Sequence, residues 1–459
     1  MKRKLLFVLI MFISGIMVSQ GQVISFTIKE AQDYALENNK TFKNAKADVK
    51  LADAQIIEAR GAGLPKLAGT VDYMTNFGYE FLFELGGGDT EPAVIDYTLM
   101  DLGDFEVLKI LEGMSSGGGS TIKMTDQFSA NLQVSQLIFS GQYWVGLEMA
   151  RLGKVIREQG LNMTALDIKE QVINSYHLVL LTQELTRVID GNIENLNEIK
   201  KHTQNLYEAG MAEKTDVDQM KINISQLENS KRAMARSMEL NLNMFRMLLG
   251  LQAGTQVSFS ENLESILEGV EGAMISNESF NVANNPAYQM MAVQEKIGEQ
   301  QLNLQKWSYA PTLVGFYAYK EKILTGGFDL SPKHAAGFTM SVPIFDGWTK
   351  SAQMTKAKIE LDKTSRTKSL LEDQLALQNN QLSFDMANAY ENYLTQKENI
   401  DVAKGVFESI RRKYEEGVIS SLELTQANSN LLQAENNYVS SVMELLKSKL
   451  SLDKLYNKL

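Results

Sequence analysis

Two stretches of the chain alternate apolar and polar residues with a period of two. Phe128, Ala130, Leu132 and Val134 alternate with Ser129, Asn131, Gln133 and Ser135, and Phe338, Met340, Val342 and Ile344 alternate with Gly337, Thr339, Ser341 and Pro343. That period predicts strands with one oily and one wet face. The two stretches also match in sequence: Val134–Gly141 reads VSQLIFSG and Met340–Gly347 reads MSVPIFDG, an offset of 206. Strands of this kind fit the edge of a soluble sheet, and at about ten residues they also fit a tilted bilayer crossing.

Elsewhere the apolar period is helical. One seam runs Val217, Met220, Ile224, Leu227, Lys231, Met234, Met238, Asn241, Phe245, Leu248. A second runs Leu424, Ala427, Leu431, Ala434, Tyr438, Ser441, Leu445, Ser448, Leu452, Leu455. Spacing of three and four predicts coiled-coil packing, which an ordinary helical bundle also satisfies. The six prolines lie at 65, 92, 286, 311, 332 and 343, so 93–285 and 344–459 contain none. Proline inside a helix costs about 3 kcal/mol, so these spans permit very long helices. Residues 142–205 as one helix would extend roughly 95 Å at about 1.5 Å per residue.

The chain repeats itself. Asn38–Ile56 aligns with Asn284–Leu302 at an offset of 246, and Pro65 and Tyr73 meet Pro311 and Tyr319 at the same offset. The strands follow at 206, and Leu206-Tyr207-Glu208-Ala209-Gly210 meets Lys413-Tyr414-Glu415-Glu416-Gly417 at 207. The offset falls because the first copy carries an insertion, about 76–125, expected to be a long outer loop. It holds Gly86-Gly87-Gly88 and Gly117-Gly118-Gly119, with Phe77, Tyr79, Phe81 and Phe83 near its root. The division expected is repeat 1 at 26–252, a polar linker at 253–283, and repeat 2 at 284–459.

Each repeat should run helix, strand, strand, long helix, turn, helix. The first helices are expected at about 29–62 and 286–308, each ending before a proline that disfavours helix in the residue preceding it. Strands 67–75 and 312–319 follow. Gly210 and Gly417 are natural C-caps at the hairpin turns. Ser420 with Glu423 reads as a capping box, and Thr215 with Asp218 as a near match. Gly146, Gly153 and Gly160, seven apart, would allow a helix to approach closely.

Composition narrows the function. Lys2-Arg3-Lys4, the apolar run 5–18 and Ser19-Gln20-Gly21 are expected to form a secretory signal peptide at 1–21. Its removal takes the net charge from −11 to −14, a balance that disfavours nucleic acid. The chain has no cysteine, so neither disulfides nor a lipid-anchoring thiol is expected. His177, His202 and His334 lack ligand-like spacing, and no nucleophile-and-base set or phosphate loop is visible. Metal, cofactor and enzyme activity are therefore not expected. No stretch after the signal is apolar enough for a transmembrane helix. Any membrane crossing must use strands, and four strands leave two unpaired edges that lipid cannot satisfy. A closed barrel needs about eight or more strands, so several copies must pool theirs. Their number stays open on this ground.

The doubled order, the x-P-x-L strand starts, VPIFDG, and the YEAG and YEEG turns followed by Asp216 and Glu423 resemble the TolC-like outer-membrane efflux family over essentially the whole chain after the signal. The resemblance implies an α+β membrane protein: a homotrimer sharing a 12-stranded β-barrel, continued by a long periplasmic α-helical barrel, with an internal structural repeat. It implies a channel-tunnel in the outer membrane of a Gram-negative bacterium, exporting small molecules or proteins. The partners implied are a periplasmic adaptor and an inner-membrane transporter of RND, ABC or MFS type. It further implies adaptor-docking tips at Gly210, Met211, Ala212, Gly417, Val418, Ile419 and Ser420, and a periplasmic entrance at Tyr414, Glu423 and Gln426. Gln426 stands where well-known members carry a second acid, and Ile419 where they carry an arginine. The competing expectation is a periplasmic or surface coiled-coil interaction protein with soluble hairpins and no channel.

Overall fold

The computed structural model describes residues 23–75, 77, 80–83, 120–123, 126–273, 279–324 and 332–459. The signal segment and most of the 76–125 insertion lie outside the described residues. In chain order the elements are β1 (Ile24–Phe26), α1 (Ile28–Asn38), α2 (Lys40–Gly61), β2 (Lys66–Met74), β3 (Glu80–Phe83), β4 (Ser120–Lys123) and β5 (Gln127–Phe139). Then come α3 (Gly141–Glu208), α4 (Lys214–Leu249), β6 (Val257–Phe259), α5 (Leu263–Ala273), α6 (Pro286–Trp307), β7 (Thr312–Leu324), β8 (His334–Ser341), α7 (Thr349–Glu415) and α8 (Ser421–Leu455).

Two compact units cut across the sequence repeat. One holds the described parts of 1–54, 151–299 and 359–459; the other holds 55–150 and 300–358. The second unit carries a four-stranded antiparallel sheet in the order β2-β5-β7-β8. The first unit is helical around three clusters of buried side chains. One gathers Phe26, Tyr176 and Phe245; another Leu196, Met220, Phe407 and Leu424; a third Leu181, Tyr393, Val442 and Leu445. No described helix is long and apolar enough to cross a membrane.

The long helices form as the proline-free spans predict: α3 has 68 residues and α7 has 67. The seam of α4 is buried at Val217–Leu227 and again at Asn241–Leu248, but it opens between them. There Lys231 is exposed and pairs with Asp190 on α3 at 2.6 Å.

Five expectations need correction. The helix over 29–62 is broken at Asn39, whose ψ of 130° is extended. Its Oδ1 accepts from the Thr41 and Phe42 amides (2.8 and 3.3 Å), while its Nδ2 donates to the Leu248 carbonyl at 2.8 Å. One side chain thus caps α2 and satisfies the end of α4. Asn285 does the same in the second repeat, accepting from Ala287 (3.0 Å) and donating to Leu455 (3.1 Å). The second strand stops at Ser341 rather than running on to Ile344. Ser341 pairs with Thr312, the first residue of β7 after Pro311, so no ladder partner remains, and Pro343 has no N–H to offer. The segment 253–283 is not a plain linker: β6 pairs in parallel with β1, and α5 follows it. Tyr176 locks this module, its hydroxyl donating to the Phe26 carbonyl (3.0 Å) and accepting from the Glu261 amide (3.2 Å). Inside the insertion β3 pairs with β4, so it is not loop throughout. Gly146, Gly153 and Gly160 have no atom within 4 Å of where a Cβ would stand, so within the described chain they allow no close helix contact.

Candidate functional site

The sheet has two chemically unlike faces. Register places Leu67, Val71 and Tyr73 of β2 beside Val134, Ala130 and Phe128 of β5. The same face continues through Leu132↔Tyr319 and Val134↔Tyr317 into β7, and through Gly315↔Phe338 and Leu313↔Met340 into β8. Leu67, Val71 and Phe338 are 72, 68 and 76% exposed, which a strand surface in water would not favour. The opposite face carries Thr70, Asp72, Ser129, Asn131, Gln133, Ser135, Lys320 and Thr339. Gly315 and Gly337 let aromatic rings cross the ladder: a Cβ on Gly337 would stand 3.1 Å from the Phe316 ring. β2 and β8 are the two edges, each paired on one side only. All three tryptophans, Trp144, Trp307 and Trp348, are exposed beside the strand–helix junctions, with Phe345 and Ile344.

The hairpin tips are built by one device used twice. Gly210 takes φ +74° and Gly417 φ +74°, a left-handed conformation with no penalty for glycine. Gly210 donates to Tyr207 O (2.9 Å) and Met211 to Leu206 O (2.8 Å); Gly417 donates to Tyr414 O (3.0 Å) and Val418 to Lys413 O (2.9 Å). Both pairs are Schellman closures. Met211 and Val418 are 70 and 68% exposed, Ser420 is also exposed, and Ala212 and Ile419 are half-buried. The cap of α4 is Glu213 with Asp216, not Thr215 with Asp218: the Glu213 amide donates to Asp216 Oδ2 at 3.1 Å. This brings it into line with Ser420 and Glu423, where Ser420 Oγ accepts the Glu423 amide at 3.4 Å.

Tyr414, Glu423 and Gln426 do not share one surroundings. Tyr414 is 5% exposed, its hydroxyl sharing a hydrogen bond with Thr203 Oγ1 (2.7 Å) and its ring set edge-on against His202. Burial pushes its pKa up. Glu423 and Gln426 are exposed one turn apart on α8, and Gln426 donates to Asn430 Oδ1 at 2.9 Å. Sequence reasoning missed a contact joining the two tips: Ser421 Oγ donates to Asp216 Oδ1. It also missed the buried pair of Asn192 Nδ2 and Glu435 Oε2 at 2.8 Å. Glu435 sits on the α8 face flanking the predicted seam, and burial raises its pKa. No group of residues suited to holding a metal ion occurs among the described residues.

Residues 281–458 match the family model of the outer membrane efflux protein. This part of the chain is an outer membrane efflux protein domain. The domain contains α6, β7, β8, α7 and α8, and with them Tyr414, Glu423 and Gln426. The fold of the whole chain is that of solved TolC-like outer-membrane channels. It resembles CusC (TM-score 0.71, 14% identity, 94% of this chain and 91% of that one). It also resembles the outer membrane protein VceC of Vibrio cholerae (0.68, 16%, 94 and 96%) and the CmeC outer membrane channel of Campylobacter jejuni (0.69, 14%, 94 and 85%). A comparison with curated proteins finds no relative. At these identities the likeness concerns fold, and the expected α+β class with two membrane-type strands from each repeat is what the chain adopts.

Proposed function

We propose that this protein is an outer-membrane channel-tunnel, a homotrimer whose three sheets close into one 12-stranded barrel continued by a helical tube in the periplasm. The observation that carries it is the four-stranded sheet with two half-paired edges and an exposed apolar face. In lipid the apolar face is satisfied and the edges are not, until β2 of one copy meets β8 of another. The polar face then lines the pore. The efflux-protein domain and the neighbours' fold support the same reading. The reading includes the signal peptide at 1–21, the tandem repeats 26–252 and 284–459, and a Gram-negative outer membrane as destination.

The tips at Gly210–Ala212 and Gly417–Ser420 meet a periplasmic adaptor. An inner-membrane RND, ABC or MFS transporter supplies the cargo, small molecules or proteins. Glu423 and Gln426 line the entrance, where three Glu423 carboxylates would favour cations, and Tyr414 anchors the helix behind them. The protein is a conduit and not a catalyst. Membrane fractionation and single-channel recording test this. A detergent-requiring, heat-modifiable oligomer that conducts ions is expected; a buffer-soluble monomer would leave the coiled-coil reading standing instead.

A further inference from the structure

The duplication gives every position in one helical hairpin an equivalent in the other, and the structure sets the register. Asn39 and Asn285 play the same two roles, which makes Leu248 and Leu455 equivalent, 207 apart. The same offset matches buried Ile168 of α3 with buried Leu375 of α7, and Val179 with Met386.

Within the chain, α8 of the second repeat lies against α3 of the first. Lys454 Nζ reaches Asp167 (2.7 Å) and Glu170 (2.6 Å), Glu435 accepts from Asn192, and Leu181 clusters with Val439, Val442 and Leu446. This contact buries one flank of α8 (Glu435, Val439, Val442, Leu446, Leu450) and one of α3 (Leu166, Ile173, His177). The equivalent flank of α4 is Glu228, Arg232, Ala235, Glu239 and Asn243, and every one is exposed. The equivalent flank of α7 is Asp373, Asn380 and Phe384, also all exposed. The chain therefore carries both sides of a contact that stays open in the single copy.

We propose that α4 of one copy docks on α7 of a second copy as α8 docks on α3. This rests on the oligomeric conduit proposed above and deepens it by naming the junction. The pairs follow from the offset. Met247, in the place of Lys454, meets Leu377, in the place of Glu170; they are 66 and 68% exposed in one chain. Glu228 meets Asn399, repeating the Glu435–Asn192 hydrogen bond. At the tips Ser421 donates to Asp216, so Lys214 meets Glu423 of the next copy. The chemistry matches at each point: thioether on isobutyl, amide on carboxylate, ammonium on carboxylate. The two surfaces differ, so the contact is head-to-tail and builds a ring, not a two-fold dimer.

The chain has no cysteine, so engineered thiols report without background. Full-length protein in outer-membrane preparations, carrying Met247→Cys with Leu377→Cys, is treated with copper phenanthroline or a short bismaleimide. Covalent species beyond the dimer are expected, with each single variant remaining unlinked. Linkage that stops at the dimer overturns the head-to-tail contact. No linkage in a protein that native mass spectrometry shows to be oligomeric overturns this junction and leaves the conduit intact; a monomer overturns both. A second measurement uses the tips: Lys214→Glu and Glu423→Lys should each lower the temperature at which the oligomer dissociates in SDS, and the double variant should restore it. Failure to restore it removes the tip contact.

Discussion

His177 offers a stability test that the second repeat has already suggested an answer to. The imidazole lies on α3, 8% exposed, and its Nε2 has no hydrogen-bond partner among the described residues. Burial alone pushes its pKa down from 6.5 to about 4. The unfolded chain takes up a proton as pH falls through about 6.5, and the folded chain resists until about 4, so folding stability is lost across that window. A shift of about 2.5 units at 1.36 kcal/mol each corresponds to about 3 kcal/mol. His177→Gln removes the titration and keeps a polar side chain. His177→Phe installs the residue that stands at the equivalent position, Phe384. Urea unfolding of detergent-solubilised protein, followed by far-UV circular dichroism at fixed protein concentration, gives unfolding free energies at stepped pH. The variant-minus-wild-type difference isolates residue 177, because every other titrating group is common to both. It should move in the variants' favour by about 3 kcal/mol between about pH 7 and about pH 4. Parallel curves across that range, or an imidazole that titrates near 6.5 by NMR, would refute a buried neutral His177.

The two asparagine bridges should behave alike: Asn39→Ala and Asn285→Ala should each cost about 2–3 kcal/mol, a lost cap of about 1 plus a buried carbonyl left unpaired. Asn39→Asp should keep the cap and lose the Leu248 bond, and an unfolding midpoint equal to wild type would refute that bond. At the entrance, Glu423→Gln should shift the reversal potential toward weaker cation preference. Lys214→Gln should shift it the other way by baring the same carboxylate, and a common direction for both would refute their pairing. The three tryptophans all sit at the strand–helix junctions, so intrinsic fluorescence reports that zone alone. Reconstitution into vesicles of brominated lipid should quench it; unquenched emission from a conducting channel would show that these rings face away from lipid.

Period-two alternation made both strands of the sheet's inner pair and the edge β8 legible, because half of each strand must be oily. Gly210 and Gly417 were legible as helix ends for a local reason, the positive φ a Schellman closure needs. The break at Asn39 was not, since the helical pattern runs straight through it. What ends α1 there is a carbonyl at Leu248, 209 residues away in sequence. The module of β1 and β6 was invisible because three-residue strands carry no measurable period. Its stability comes from Tyr176 on a distant helix. At the α4 cap, Thr215 is the better capping type by propensity, yet Glu213 holds the position. Equivalence with Ser420 would have identified it, since the tip offset of 207 applies there too. The partners of Glu435 and Asp216 were likewise set by tertiary packing across the two repeats.

The two repeats diverge in a way that fits assembly after folding. Where α8 contributes Val439, Val442 and Leu446 to the contact inside the chain, α4 offers Arg232, Ala235 and Glu239 at the equivalent places. A flank that forms its contact during folding can be apolar throughout, because it is never wet for long. A flank that waits for a second copy stays exposed to water, and a continuous apolar stripe there would invite indiscriminate association. The chain retains apolar surface on that flank only at isolated points, such as Met247, and spaces charge between them. The sheet cannot use the same solution, because its exposed face must finally meet lipid. Its strands therefore keep Leu67, Val71 and Phe338 bare, and their half-paired edges make closure with neighbouring copies the step that completes the fold.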